Sequence, residues 1–144
     1  MNQIEKILSK NDTGETNGHQ SGFLIPKKPV EIREFLPPLD ETVENPRCPV
    51  DAIDDAGDYW SFQYIYYNKK LFGTGTRNES RITGLAGYIK KYLLKAGDTI
   101  ILKREGRIYR ITFRRKDAPI LNQATGRKRI TPSGSWFLVG SEDA

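Results

Sequence analysis

The sequence predicts an α+β fold that is mainly β: a small open barrel of about seven short strands with two short helices. Three observations carry this. Trp60, Phe62, Tyr64 and Tyr66 alternate with Ser61, Gln63, Ile65 and Tyr67, the period-two pattern of a strand with one aromatic face. Ile100 and Leu102, then Tyr109, Ile111 and Phe113, repeat that period on either side of Glu105-Gly106, which marks a hairpin. Finally, helical spacing of apolar residues is clearest in one stretch, Leu85, Tyr88, Ile89, Tyr92 and Leu93, and strands and helices do not alternate as they would in a parallel sheet.

In chain order, Ile4, Ile7 and Leu8 predict a short amphipathic helix at the N-terminus. Phe23-Leu24-Ile25 is a brief strand closed by Pro26. Pro29 suits the first turn of a helix over 30–36, and Pro37-Pro38 ends it. Residues 42–53 carry two prolines and are expected to form a loop with at most an edge strand. The aromatic strand follows, its inner row being core rather than a base-stacking platform. A second helix is expected over 85–94, with Gly97 as its stop. The hairpin comes next, and Trp136-Phe137-Leu138-Val139 closes the fold. A chain of 144 residues without internal repeats or low-complexity tracts is expected to be one domain.

Composition narrows the function. The formal net charge is +5, which favours a polyanionic partner. Its distribution is uneven: acids dominate 40–58, and bases dominate from Lys69 to the run Arg127-Lys128-Arg129. One cysteine, Cys48, excludes an intramolecular disulfide and any cysteine-based metal cluster. No apolar run approaches the roughly 18 residues of a membrane span, and the N-terminus lacks the apolar stretch of a signal peptide. The expected setting is cytoplasmic, with no membrane partner.

Two polar, glycine-rich segments carry the chemistry. The first runs from Asn11 to Gly22, up to the apolar Phe23-Leu24-Ile25-Pro26; the second runs from Gly73 to Thr83 and holds Arg77, Asn78, Glu79 and Arg81. Their hydrogen-bonding composition and glycines mark them as lying outside any core. Donors and acceptors of these types match base edges in the major groove of DNA: Arg pairs with guanine, Asn or Gln with adenine, and Glu accepts from the amino group of cytosine. Glu79 is the most telling residue. A carboxylate between two arginines commonly forms surface ion pairs of little consequence. On a DNA-facing arm, however, it would stand in a negative field, which is costly unless a base amino group donates to it. Asn78 has a second reading as a turn residue holding its own backbone. His19 is the only histidine, so a metal site or a catalytic triad has no partners to assemble from.

Residues 11–26, NDTGETNGHQSGFLIP, and 72–83, FGTGTRNESRIT, resemble the two DNA-contacting arms of the EcoRII-type N-terminal effector domain of restriction endonucleases. Residues 82–102, ITGLAGYIKKYLLKAGDTIIL, resemble the helix-then-Gly-Asp segment of the plant B-three DNA-binding domain. The sequence differs from the EcoRII-type pattern in having Leu24 for a tyrosine, Gly75-Thr76 for a lysine, and Ser80 for a lysine. The resemblance implies an open DNA-binding pseudobarrel whose arms, about 11–25 and 69–83, enter the major groove and bind CC(A/T)GG or a related site. His19, Gln20, Arg77, Asn78, Glu79 and Arg81 are the expected base readers. Asn11, Thr13, Lys27, Lys69, Lys70, Ser80 and Thr83 are the expected backbone contacts. The implied partner is double-stranded DNA, in a prokaryotic cytoplasm.

Catalysis is the competing class. A nuclease of this kind needs acidic residues and a lysine around Mg²⁺. Pro49-Val50-Asp51 and Asp54-Asp55 are the nearest candidates, with no Asp/Glu-x-Lys on a following strand, so the acidic stretch is expected to be a solvated loop. The domain is therefore expected to be non-catalytic and to need no cofactor. Mg²⁺ would serve only a covalently linked nuclease domain absent from this chain. The alternatives are a free-standing transcription regulator on the same fold and, more weakly, an RNA-binding barrel.

Overall fold

The computed structural model describes residues 3–15, 22–28, 30–117, 127–130 and 136–139. Among these residues nine strands form one curled sheet: β1 (Gln3–Ile7), β2 (Phe23–Ile25), β3 (Arg47–Ile53), β4 (Tyr59–Tyr67), β5 (Glu79–Thr83), β6 (Thr99–Glu105), β7 (Ile108–Arg114), β8 (Arg127–Ile130) and β9 (Trp136–Val139). Their order is β2-β5-β4-β3-β7-β6-β1-β9-β8, antiparallel except for a short parallel contact of β3 with β7. Among the described residues four short helices connect them: α1 (Lys10–Thr13), α2 (Glu31–Phe35), α3 (Lys69–Phe72) and α4 (Ala86–Lys91). The mainly β, open-barrel class is as expected. The strand count is higher because β1, β3, β5 and β8 came from segments whose alternation is short or interrupted by charge.

β1 corrects the N-terminal helix. Ile4, Glu5, Lys6 and Leu8 are all buried, so the strand is covered on both faces, and the two buried charged residues disguise it. The segment pairs on both sides, with β6 and with β9. An i, i+3, i+4 pattern over five residues cannot separate helix from strand. Over 42–53, where the sequence predicts a loop with at most an edge strand, β3 is an interior strand that pairs with β4 along Arg47–Ile53 and meets β7 on its other side. Pro49 is tolerated because β7 meets β3 only at Ala52 and Ile53, so no ladder bond is asked of it on that side.

The core lies inside the curl. The inner row of β4 contributes Phe62, Tyr64 and Tyr66, all buried, with Trp60 packed against them. Phe23, Ile32, Val50, Ile82, Tyr88, Ile100, Leu102, Ile111 and Trp136 fill the rest. Burying a large apolar side chain here contributes about 2–3 kcal/mol. The curl closes where Trp136 of β9 reaches β2: its indole N–H donates to the Leu24 carbonyl at 3.0 Å, and its ring meets Phe23 edge-on. That contact pins the edge strand from which the first polar segment emerges.

The acidic stretch is not simply a solvated loop. Asp54 is buried, and its carboxylate accepts from the Trp60 indole at 2.9 Å, the Tyr92 hydroxyl at 2.8 Å and the Lys91 ammonium at 2.8 Å, and from the amides of Ala56 and Asp58. Burial alone would raise its pKa. The hydrogen bonds from Lys91, Trp60 and Tyr92 outweigh burial and hold the carboxyl well below the usual carboxylate range. Asp54 thus fastens the β3–β4 turn to α4 and is fully engaged as a structural group.

Candidate nucleic-acid interface

The two polar segments meet because β2 and β5 pair: Phe23 lies opposite Ile82, Leu24 opposite Arg81 and Ile25 opposite Ser80. β5 pairs in turn with β4, placing Glu79 opposite Tyr67 and Arg81 opposite Ile65. Period two then sorts the second segment. Ser80 and Ile82 face inward and are buried, whereas Glu79, Arg81 and Thr83 take the outer face beside Leu24. One expectation is corrected here: the segment contributes to the core through Ile82. Ser80, an expected backbone contact, is buried.

On the outer face Glu79 gathers both arginines. Arg81 Nε donates to its Oε2 at 2.6 Å and Arg77 Nη2 donates to the same oxygen at 2.8 Å. These hydrogen bonds, Arg81's first, hold the Glu79 carboxyl below its ordinary range. The Arg77 guanidinium lies 3.8 Å from the centre of the Tyr67 ring, a stacked cation–π contact. Arg81 Nη1 also donates to the Gly22 carbonyl at 3.1 Å, which joins the two segments.

Gly22 is required by this closeness. Its φ is +89°, a conformation side chains rarely adopt, and a Cβ there would collide with the Ile82 carbonyl. Asn78 accepts from the Tyr66 hydroxyl at 2.6 Å, so its side chain anchors the segment as well as bordering the outer face. A groove of about 420 Å³ runs between the exit of the first segment and β5, lined by Leu24, Lys27, Lys28, Asn78 and Glu79.

The other expected residues are spread around this centre. Lys27 and Lys70 are exposed; Lys69 pairs with Glu44 at 2.9 Å. Thr83 is half-buried at the far end of β5. Asn11 and Thr13 sit in α1, and the Thr13 hydroxyl donates to the Lys10 carbonyl at 3.1 Å and to Glu15. Ser9 caps α1, and Asp12 takes a 2.9 Å ion pair from the buried Lys6, so the root of the first segment is fixed to β1. His19 and Gln20 lie outside the described residues. Tyr67 and Gly22 were not singled out by sequence reasoning. Tyr67 was legible, since the period of β4 places it on the face opposite the core.

The family model for the N-terminal domain of the restriction endonuclease EcoRII matches residues 2–105. The chain belongs to that family. The type II restriction enzyme EcoRII of Escherichia coli is 44% identical over 81 residues, covering 54% of this chain and 19% of the enzyme. Auxin response factor 2 of Oryza sativa is 32% identical over 102 residues, covering 71% of this chain and 13% of that protein. The chain thus spans less than a fifth of each of these relatives. Among solved structures, an Arabidopsis FUS3–DNA complex matches with a TM-score of 0.56 and 22% identity, over 77% of this chain and 94% of that one. The fold shared by this EcoRII-type domain is the B3-type pseudobarrel. Among the described residues no helix is long and apolar enough to cross a membrane.

Proposed function

We propose that this domain binds double-stranded DNA sequence-specifically, its two arms entering the major groove, and that it serves as the recognition part of a type II restriction endonuclease. The observation that carries the reading is the Arg77–Glu79–Arg81 cluster, displayed on the outer face where both arms emerge. In this reading the arginines arrive already oriented, so less side-chain entropy is lost when they meet guanine O6 and N7. Glu79 is charge-compensated by them, which lets a carboxylate stand among phosphates and accept from cytosine N4. Lys27, Lys69 and Lys70 approach the phosphates and set the register. The target is CC(A/T)GG or a close relative.

The EcoRII likeness supports the restriction role; the similarity to auxin response factor 2 supports a second reading, a free-standing transcription regulator on the same fold. A gene neighbourhood containing a DNA methyltransferase would favour the first. Cutting would belong to a linked nuclease domain that uses Mg²⁺, in a prokaryotic cytoplasm, and plasmid incubated with this chain in Mg²⁺ should stay intact. Selection of bound duplexes from a random pool tests the function directly. Recovery of one short motif supports it, and recovery of sequences without a motif refutes it.

A further inference from the structure

The second arm is rooted by a pair of asparagines. Asn68, immediately before α3, is completely buried. Its side-chain oxygen accepts from the Asn45 amide at 2.7 Å, and its own amide donates to the Asn45 side-chain oxygen at 3.2 Å, so the two residues exchange bonds reciprocally. The Asn68 side-chain amide donates to the Val43 carbonyl at 2.9 Å. Asn45 holds a left-handed φ of +50°, a conformation that Asn tolerates better than most residues. The adjoining residues run alongside: Tyr66 N–H donates to the Pro46 carbonyl at 3.0 Å, and Glu44 pairs with Lys69. Downstream, the Lys70 amide donates to the Arg77 carbonyl at 3.0 Å, closing the arm just before the arginine cluster.

We propose that the Asn45–Asn68 clasp is the positioning device of the second arm, fixing where Arg77, Glu79 and Arg81 stand and hence how well the domain discriminates bases. This rests on the DNA-reading function proposed above. Neither asparagine lies on the outer face, so the clasp acts through the arm. Reciprocal bonds to the buried Asn68 suit this task, because a shift of the arm would leave its buried donor or acceptor unpaired.

The test uses Asn45→Gly, which accommodates the left-handed backbone and keeps the backbone amide that donates to Asn68, while deleting the side chain that carries the accepting oxygen. Asn45→Asp restores that oxygen, and Glu44→Gln breaks the neighbouring ion pair as a control. Hydrogen exchange at the Lys70 amide reads the root without DNA: it should quicken in Asn45→Gly and return in Asn45→Asp. With duplexes, the ratio of cognate to scrambled affinity should fall about tenfold in Asn45→Gly, with its salt dependence unaltered, recover in Asn45→Asp and stay unchanged in Glu44→Gln. Unchanged exchange and ratio in Asn45→Gly would overturn the proposal, as would equal losses for every duplex. If wild-type protein shows no preference for any duplex while Lys70 exchange responds as described, the DNA-reading function fails and the clasp holds the arm for another ligand.

Discussion

Arg81 and Gly22, 59 residues apart in sequence, are joined by a 3.1 Å hydrogen bond from the guanidinium to the carbonyl. The bond exists because Gly22 lets the first arm lie directly on β5, where any side chain would strike the Ile82 carbonyl. The end of the first arm at Gly22 is therefore tied to β5 of the second, and the consequences can be measured.

Gly22→Ala should displace the first arm from β5. A positive φ and a backbone collision together cost on the order of 1–3 kcal/mol. Cognate binding should drop at least tenfold, while weak binding to scrambled duplexes persists through the phosphate contacts. Fluorescence titration with both duplexes, alongside a thermal melt, separates a moved arm from a lost fold.

Arg77→Ala removes a stacked, pre-oriented donor pair and should cost about 1–3 kcal/mol at the cognate site, with nonspecific binding largely retained. Glu79→Ala releases both arginines and removes a negative charge from the phosphate field. Discrimination should fall and affinity for scrambled duplexes should rise. A uniform loss across all sequences would mean that Glu79 only braces Arg77 and Arg81.

Lys70 and Lys69 should differ. Lys70→Ala should weaken cognate and scrambled binding alike and reduce the salt slope by about one unit. Lys69 is paired with Glu44, so its loss should reduce the slope less. Titrations of both variants at two salt concentrations test the order.

Asp54 should matter for stability and not for DNA. Asp54→Ala leaves the Trp60 and Tyr92 donors without their buried acceptor and leaves Lys91 only Asp58 as a partner, and should destabilise the fold by about 3 kcal/mol. Its folded pKa is depressed below the ordinary 3.8. Its stabilisation is therefore present above that value and is lost progressively as pH falls through and below it. Urea unfolding from pH 6 to pH 3 should show a falling stability whose slope is shallower in Asp54→Asn.

The sequence made parts of this legible and hid others for definite reasons. The row Trp60, Phe62, Tyr64, Tyr66 and the Glu105-Gly106 hairpin were plain because their alternation is long and uninterrupted. β1 was hidden by Lys6, an inward lysine whose ammonium is met by Asp12. Arg77, Glu79 and Arg81 stood out by type, and the alternation that buries Ser80 between them became visible only once β5 was paired with β2 and β4. Asn45 and Asn68 gave no signal, since their partnership spans 23 residues and depends on tertiary structure alone.

The most direct test of the central claim is a competition titration of the wild-type domain with a CC(A/T)GG duplex and a scrambled duplex of equal composition at moderate salt. The account predicts cognate binding at least a hundredfold tighter, falling by about 0.9 log units per neutralised phosphate for each decade of salt. Equal affinity for the two duplexes would contradict it.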